Sequence, residues 1–460
     1  MEHKESASQE ISALRNEGEI AHSGFLSKSQ KALTARLNAA SMAATLRSAL
    51  ARDVFRGENS AVVFYDLSRL DVVLDTLKMA FPPTALHAVA VKANPLIEIL
   101  KRVCSKGHGA EVASLGELRL AQAAGFPVDK IIFDSPAKTV EELVRALDLG
   151  VTINANSLSE IDRIAKLVED QHSNSRVGIR INPETGEGTI AATSVAVKGS
   201  KFGVSLQENR TTLARTLHQY PWLTGIHLHI GSQGMSRDQL LEGVRAVCDF
   251  FLEVRESAEI DFFDVGGGLP AQYRESDTPT QFSDYVTALR KLCPALFDPQ
   301  ISLITEFGRA VHASCGWVAS KVEYVVDHED GTSTLFVHVG ADMFLRKVYR
   351  PDDWHHDISV CDPKGQLRVG TEKPFRVAGP LCFAGDYLGR DVSLPADTRE
   401  GDYILIHDAG AYTFSMWSMY NSRQLPLIVG YEGEDQNFRC LRTRQTLDEL
   451  VQFWSAEDGE

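Results

Sequence analysis

Short apolar runs alternate with amphipathic segments between residues 86 and 308. Near-continuous apolar runs separated by helical stretches are typical of parallel strands that are covered by helices on both faces. Amphipathic helical stretches include Leu118–Ala124, Val140–Leu149 and Leu158–Glu169. The eight apolar runs are Leu86–Ala93, Gly109–Ser114, Lys130–Ser135, Val151–Asn156, Val177–Pro183, Gly225–Gly231, Phe262–Gly268 and Ser302–Gly308. Eight such units within about 220 residues predict a closed TIM-type (β/α)8 barrel rather than an open sheet.

The pattern changes after about residue 311. Short β-rich runs separated by Gly, Pro and Asp follow, without a long helical pattern, and they predict a second, mostly antiparallel β-domain. These runs are Trp317–Val326, Ser333–Val339, Phe375–Val377 and Tyr403–His407. The charged segment Tyr349–Lys364 predicts a loop.

The N-terminal part of the chain precedes the first apolar run. Residues 1 to about 24 are polar and acidic, whereas residues 27–56 are rich in Ala, Leu and Arg. Leu33, Leu37, Ala40 and Ala44 share one helical face, which predicts a packed helix. The predicted organisation is an extension with a helix that packs partly on the β-domain (1–60), a barrel (61–311) and a β-domain (312–460).

Composition restricts the class of protein. The 460 residues are 43% hydrophobic and 24% charged, as in soluble globular proteins. A net charge of -15 argues against a nucleic-acid surface, and no apolar run is long enough for a membrane span. The seven cysteines are scattered without a CxxC pair, and the N-terminus lacks an apolar signal core. These features predict reduced thiols in a cytoplasmic protein without a metal site; we interpret His355-His356 beside Asp357 as a solvated loop.

Lys92 lies near the exit of the first apolar run, directly before Asn94-Pro95. Burial on one side lowers the pKa of an ammonium group, and the free amine attacks an aldehyde to form a Schiff base. Taken alone, the signal is weak, because most lysines that follow a strand are solvated loop residues. The other strand ends carry further polar groups and glycines, however, and barrel active sites are built at those ends. They include Glu111, Ser114, Arg180, Asn182, His229, Gly231, Ser232, Gly266–Gly268, Glu306, Gly308 and Arg309.

Together these groups suit a phosphorylated aromatic aldehyde. Gly266, Gly267 and Gly268 allow backbone N–H groups to approach a phosphate, although three glycines also suit a tight turn. Ser232 and Arg309 supply further donors. Glu306 suits a protonated pyridine nitrogen and His229 a stacking partner for the ring, whereas we interpret His227 as a core histidine.

Several segments give the chain a family resemblance. They are Ala90-Val-Lys-Ala-Asn-Pro95, Gly109-Ala-Glu-Val-Ala-Ser-Leu-Gly-Glu117, Ser200-Lys-Phe-Gly203, His229-Ile-Gly-Ser-Gln233, Gly266-Gly-Gly268, Glu306-Phe-Gly-Arg309, Gly379-Pro-Leu-Cys382, Asp408-Ala-Gly-Ala-Tyr412 and Phe414-Ser-Met-Trp-Ser-Met-Tyr-Asn-Ser-Arg423. With them the chain resembles the fold-type III pyridoxal-phosphate decarboxylases, the ornithine, lysine and arginine decarboxylase class II. The last segment favours the diaminopimelate branch.

The resemblance implies an alanine racemase-like barrel followed by a β-domain. It implies that Lys92 holds pyridoxal 5'-phosphate covalently, that Glu306 binds the ring nitrogen and that His229 stacks on the ring. Ser232, the glycine turn, Arg309 and Tyr412 would surround the phosphate or the amino-acid substrate. It also implies a homodimer with shared active sites, in which Cys382 of a neighbouring subunit donates the proton that replaces the carboxylate. Further expected cofactor contacts are Glu111, Arg180 and Gly308.

Three positions depart from the family pattern. Phe383 stands where the diaminopimelate enzymes have a glutamate that holds the distal amino group. The Arg-Pro-x-x-Tyr element is replaced by Arg346-Lys-Val-Tyr-Arg350, and Phe307 replaces a proline. Arg346 and Arg350 suit anionic groups of a substrate, although a solvated loop fits them equally.

We therefore predict an amino-acid decarboxylase with an altered distal pocket. The expected substrate contacts are Arg309, Arg346, Arg350, Phe383 and Tyr412. Alternatives are a decarboxylase of a siderophore precursor or carrier-bound amino acid, an amino-acid racemase, and a non-catalytic cofactor-binding paralogue.

Overall fold

The computed structural model describes residues 36–57, 59–170, 173–278, 280–433 and 436–456. Within these ranges the chain divides into two compact units. The barrel unit comprises residues 73–271 and 280–311, and the β-unit comprises residues 36–72, 272–278 and 312–456. The start of the predicted N-terminal helix, at residues 27–35, lies outside the described residues.

The barrel unit contains a closed ring of eight parallel strands. In ring order they are Thr152–Ala155, Ile131–Asp134, Gly109–Val112, Leu86–Ala90, Ser302–Thr305, Phe262–Asp264, Leu223–His227 and Val177–Asn182, and the last pairs with the first. The two-residue strand Val204–Ser205 pairs with Val177–Asn182 outside the ring. The predicted barrel is confirmed. Each strand is shorter than its apolar run, because the last residues of the run form the loop above the barrel.

Helices follow the strands, as predicted. They are Leu67–Ala80, which spans the unit boundary, Ile97–Ser105, Leu115–Ala124, Val140–Leu149, Leu158–Asp170, Leu206–Gln219, Arg237–Val254, Phe282–Leu292 and Arg309–His312. Short 3-10 helices lie at Val91–Ala93, Val128–Lys130, Ala191–Thr193 and Pro294–Phe297. Polar side chains set several helix starts: the Thr139 hydroxyl accepts a hydrogen bond from the Glu142 backbone N–H, which satisfies one of the first unpaired donors.

Large side chains fill the barrel interior. Phe262 packs there with Ala88, Ile132 and Ile304 in one buried cluster. Gly225 on the adjacent strand makes room for the ring, since an added Cβ would lie 1.9 Å from Phe262 Cζ. The strand ends therefore lie directly above a tightly packed, rigid core.

The β-unit contains two sheets. The six-stranded sheet has the order Ile358–Cys361, Tyr403–Ile406, Gly316–Lys321, Ala61–Asp66, Leu427–Glu432, Asn437–Arg442. The four-stranded sheet has the order Tyr324–Asp327, Ser333–Phe336, Glu372–Ala378, Tyr387–Pro395. Six of the eight strand pairings described in these sheets are antiparallel, which confirms the predicted class.

Helical segments complete the β-unit. They are Ala39–Ala51, Leu345–Tyr349 and Leu447–Trp454, with 3-10 helices at Ala313–Cys315, Phe414–Met416 and Tyr420–Ser422. The strand Ile358–Cys361 lies inside the segment predicted to be a loop, so that prediction is wrong there. Charged neighbours on both sides of this four-residue strand conceal its apolar alternation. Within the described ranges, no helix is long and apolar enough to cross a membrane.

The helix Ala39–Ala51 packs on the six-stranded sheet through Met42, Leu46 and Ala49, beside Phe64 and Trp317. The predicted face is buried only in part: Leu37 packs against this core, whereas Ala40 is exposed. Alanine is only weakly hydrophobic, so the larger Met42 and Leu46 determine which face is buried. The strand Ala61–Asp66 belongs to this sheet, although the predicted barrel segment began at residue 61. The predicted domain boundaries stay a prediction.

Candidate active site

Lys92 lies in the 3-10 turn Val91–Ala93, which directly follows the strand Leu86–Ala90. Its side chain is 38% exposed, and Nζ contacts the Glu111 carboxylate. The lysine is therefore partly desolvated at the exit of its strand, as the sequence predicts, and has a proton acceptor beside its amine.

Glu111 lies on the neighbouring strand Gly109–Val112 and is fully buried. Burial raises the pKa of Glu111 to about 8, outweighing the opposing attraction of Lys92; Glu306 and Asp134 also raise it. A carboxyl group with this pKa takes up a proton near neutral pH. It can therefore hold the proton that Lys92 must lose before its amine reacts.

The shifted pKa of Glu111 predicts a pH-dependent stability. Its ordinary pKa is 4.5, so between about pH 4.5 and 8 only the folded state holds this proton. The stabilisation is complete below pH 4.5 and is lost as the pH rises through 8. In denaturant unfolding, the free energy of unfolding of the Glu111→Gln variant should increase relative to that of the wild type by roughly 1 kcal/mol per pH unit between pH 6 and 8. A difference in unfolding free energy that stays constant with pH would contradict the shift.

Glu306 follows the strand Ser302–Thr305 and is also buried. Its Oε2 lies 3.5 Å from His227 Nε2 and 3.8 Å from His229 Nδ1. Burial alone would raise the pKa of Glu306, but His227, His229 and Lys92 hold it well below its usual value. Its Oε1 has no hydrogen-bond partner among the described residues. Glu306 is thus a buried anionic carboxylate, which suits a protonated ring nitrogen.

Arg180 and Asp134 form a buried ion pair with an Nη1–Oδ2 distance of 3.1 Å. The guanidinium also lies 4.6 Å from the centre of the Phe202 ring, in the predicted Ser200–Gly203 segment. Although burial would raise it, the pKa of Asp134 is lowered, chiefly by Arg180 and His227. One carboxylate oxygen each of Asp134 and Glu306 and one ring nitrogen of His227 lie within 4.8 Å of one another. Atoms at this spacing could also hold a metal ion. His227 is fully buried beside Asp134 and Glu306, and its interpretation as a core histidine stays a prediction.

The three glycines form a turn directly after the strand Phe262–Asp264. Gly266 and Gly268 have φ angles of 67° and 110°, which strongly favour glycine. An added Cβ on Gly267 would lie 2.5 Å from the Glu306 carbonyl oxygen. The turn therefore allows a close approach of backbone, as a phosphate cradle requires. The Gly267 N–H donates to His229 Nδ1 at 3.1 Å, which places the proton of a neutral His229 on Nε2; burial lowers its pKa.

Ser232 and Arg309 meet beside this turn. Arg309 Nε donates to Ser232 Oγ at 3.1 Å. Gly308 precedes the arginine, and a Cβ there would lie 2.9 Å from the Cβ atoms of Ala90 and Ala93. The described contacts thus bring a hydroxyl, a guanidinium and backbone glycines together at the barrel end.

Cys382 lies in the β-unit, in the loop between the strands Glu372–Ala378 and Tyr387–Pro395. It is exposed; its backbone N–H donates to Asn421 Oδ1 at 2.8 Å, and its carbonyl accepts from Tyr420 Oη at 3.2 Å. Asp386 shapes the loop by accepting a hydrogen bond from the Leu381 N–H. The loop therefore presents the thiol in a fixed backbone setting.

Aromatic rings surround the position after the cysteine. The Phe383 ring lies nearly parallel to the Tyr349 ring, with centroids 5.7 Å apart and an interplanar angle of 13°. The Tyr420 ring meets Phe383 edge-on at 6.3 Å. This aromatic cluster (Tyr349, Phe383 and Tyr420) contains no charged group.

The two predicted substrate arginines differ in their surroundings. The Arg346 guanidinium lies 4.7 Å from the centre of the Tyr412 ring and 4.9 Å from that of Trp354. Arg350 is largely exposed and pairs with Asp353 at 3.3 Å. Arg346 is therefore held beside Tyr412 by aromatic contacts, whereas no described contact brings Arg350 to them.

Asp134 and Asp264 are site residues that the sequence reasoning missed. Burial, Glu306 and Asp134 raise the pKa of Asp264 well above its usual value. Its Oδ1 accepts a hydrogen bond from the Gly266 N–H at 2.9 Å and so helps to fix the glycine turn. Each aspartate ends a short apolar strand, and this signal is visible in the sequence.

The chain was compared with known proteins. The family described as "Pyridoxal-dependent decarboxylase, pyridoxal binding domain" matches residues 68–313. A diaminopimelate decarboxylase of Neisseria meningitidis is 32% identical over 84% of this chain and 93% of its own length. A diaminopimelate decarboxylase of Haemophilus influenzae is 32% identical over 81% of this chain and 86% of its own length. The crystal structure of the Helicobacter pylori diaminopimelate decarboxylase, complexed with L-lysine, superposes with a TM-score of 0.78 at 28% identity over 88% of this chain and 98% of that one.

Proposed function

Because the chain belongs to the family of pyridoxal-dependent decarboxylases, we propose that Lys92 holds the cofactor and that Cys382 completes the reaction. The protein is a carboxy-lyase that uses pyridoxal phosphate to remove the carboxylate of an amino acid, so these predictions from sequence are confirmed. The individual residue roles and the substrate are our proposal.

The donor set in the barrel unit fits the cofactor. When bound, pyridoxal phosphate supplies an electron sink for the electrons that the departing carboxylate leaves behind. Glu306 would hold the ring nitrogen, His229 would face the ring, and Ser232, Gly266–Gly268 and Arg309 would hold the phosphate. Arg180 and Gly308 complete the expected contacts. The observation that carries the proposal is the buried, anionic Glu306 at the end of its strand, with its Oε2 3.5 Å from His227 Nε2, in a site that also contains Lys92 and Glu111.

Glu111 and Lys92 act as a proton-exchanging pair. The raised pKa of Glu111 makes its carboxylate a stronger base, so its ionised fraction can transiently accept the proton that the Lys92 ammonium must lose before Nζ becomes a nucleophile. The same carboxyl group returns that proton when Lys92 is displaced. Glu111 lies on a strand and Lys92 directly follows the adjacent strand Leu86–Ala90, so the barrel sets their mutual distance.

Cys382 is proposed as the proton donor that replaces the carboxylate at the substrate's α-carbon. Its exposure supports this role, because an exposed thiol can reach a substrate held outside the β-unit. We propose, with the family resemblance, a homodimer in which this loop completes the partner's site, together with a cytoplasmic location. The seven cysteines, all free thiols, support the location.

The aromatic cluster supports an altered distal pocket. A substrate chain that reached Phe383 would meet the rings of Tyr349 and Tyr420 and no carboxylate. Aromatic surfaces bind apolar chains by burial and bind ammonium groups only through the weaker cation–π attraction. We therefore propose that the pocket does not bind a distal ammonium group strongly, as recognition of diaminopimelate would require. The preferred substrate is then an amino acid other than diaminopimelate.

Release of CO2 tests the proposed function and the pocket together. The purified protein should be assayed with meso-diaminopimelate, ornithine, lysine and arginine, and with apolar amino acids. We expect release from at least one amino acid and weak turnover of meso-diaminopimelate. Robust lysine formation from meso-diaminopimelate would contradict the altered pocket, and no release from any amino acid would contradict the residue roles.

A charge at position 383 should change substrate preference. The variant Phe383→Glu should raise kcat/KM for meso-diaminopimelate relative to that for an apolar amino acid by about tenfold, since a charge-assisted hydrogen bond replaces an aromatic contact. The Phe383→Leu variant removes the ring without adding charge and should leave that ratio unchanged. An equal response of both variants would show that position 383 does not face the distal group.

A further inference from the structure

Arg36 of the N-terminal segment makes a dense set of contacts within the β-unit. Its Nε donates to Asp408 Oδ2 at 2.7 Å, and its Nη2 lies 2.5 Å from the same oxygen. Its Nη1 pairs with Asp357 Oδ2 at 2.5 Å, and Nη2 donates to the Tyr273 carbonyl at 2.8 Å. One side chain thus joins three segments that are far apart in sequence.

Two of the Arg36 contacts reach Asp408, the first residue of the turn 408–412. Asp408 and Tyr412 have φ angles of 52° and 56°, a left-handed conformation that is uncommon for aspartate and strained for tyrosine. Such residues persist only when their surroundings hold them in place. The N–H groups of Ala409 and Gly410 donate to the carbonyls of Gly316 and Ala313, and Arg36 fixes the Asp408 side chain.

Arg36 contacts the turn 408–412 through the Asp408 carboxyl group. Its side chain is 1% exposed, so a fork of charged donors is needed to compensate for its burial. Arg36 is 14% exposed, and it is also paired with the more exposed Asp357. A charge-assisted contact of this kind restricts the orientation of the backbone at residue 408, four residues before Tyr412.

We propose that Arg36 is a positioning residue for Tyr412, which it orients through the Asp408 carboxylate so that the tyrosine binds the cofactor phosphate. The inference rests on the proposed cofactor site and on the family resemblance, which implies that Tyr412 contacts the phosphate or the substrate; we assign it to the phosphate. It assigns to the N-terminal extension a part in cofactor affinity, although Arg36 itself touches neither cofactor nor substrate.

The test compares two ligands that differ only in the phosphate. Full-length protein freed of cofactor should be titrated with pyridoxal phosphate and with pyridoxal, and the ratio of the two affinities recorded. Arg36→Ala should reduce the preference for the phosphorylated ligand by about tenfold, the change expected for loss of one charge-assisted contact. The affinity for pyridoxal should change little. Arg36→Lys keeps the positive charge but loses the forked guanidinium. Its preference for the phosphorylated ligand should lie between those of the wild type and Arg36→Ala.

Arg47→Ala is the matched control. Arg47 lies in the helix Ala39–Ala51, which begins just after Arg36, and donates to the Gly365 carbonyl at 3.2 Å. This variant should keep the wild-type preference. Equal weakening of both ligands by Arg36→Ala, or no change, would overturn the inference and leave a structural role only.

Two further outcomes are decisive. If Arg36→Ala does not fold, Arg36→Lys and Asp408→Asn decide the question, because each should lower the preference for the phosphorylated ligand. If the wild type binds neither ligand covalently, the proposed function fails. If the wild type binds both and every Arg36 variant matches it, only the positioning role fails.

Discussion

Replacing Lys92 by alanine should abolish covalent cofactor binding and lower turnover on the order of 10⁴-fold. The reason is that Lys92 Nζ, beside the Glu111 carboxyl group, is the amine that the site presents at the end of its strand. Glu306 would still attract the ring, so weak noncovalent binding should remain. Visible absorbance of the purified protein and the CO2 release rate measure the two effects.

The control for this prediction is Lys101→Ala. Lys101 lies on the helix Ile97–Ser105, is 52% exposed and pairs with Glu98. This variant should retain both absorbance and turnover. A Lys92→Ala protein that keeps wild-type turnover would show that another amine performs the reaction.

Replacing Cys382 by alanine should separate the two halves of the proposed chemistry. Loss of a positioned proton donor lowers turnover by about 10² to 10⁴-fold. Cofactor binding should be unchanged, because the described contacts of Cys382 lie within the β-unit, to Asn421 and Tyr420. Steady-state CO2 release and cofactor titration of the same preparation provide the comparison.

Cys440→Ala is the matched control for that variant. Cys440 is also an exposed free thiol of the β-unit, on the strand Asn437–Arg442. Its loss should leave turnover at the wild-type rate. Equal losses in the two cysteine variants would indicate a general effect of thiol removal and would contradict a role for Cys382 as the proton donor.

The barrel was predictable because its strands are buried on both faces and therefore read as continuous apolar runs. Seven of the eight runs contain a strand of the ring, and the eighth, Gly225–Gly231, overlaps the strand Leu223–His227. The β-unit was harder to predict. Its strand Ile358–Cys361 is short and flanked by charges, and Ala61–Asp66 pairs with strands more than 250 residues later in sequence, a pairing that local patterns do not encode.

The structure places Lys92, Glu111 and Glu306 at or just after strand ends, where their positions in the sequence suggest, and their roles stay a prediction; Asp134 and Asp264 were missed although each ends a strand. Arg36 was missed because its partners Asp357 and Asp408 lie more than 300 residues away and no spacing rule connects them. The buried face of the N-terminal helix was predicted only in part, because Met42 and Leu46, rather than the weakly hydrophobic Ala40, pack against the sheet.

Borohydride reduction followed by peptide mass analysis is the most direct test that Lys92 carries the cofactor. Reduction should fix the pyridoxyl group permanently, and the added mass should map to the peptide that contains residue 92. No added mass, or its location on another lysine such as the fully buried Lys138 near the strand ends, would contradict the assignment.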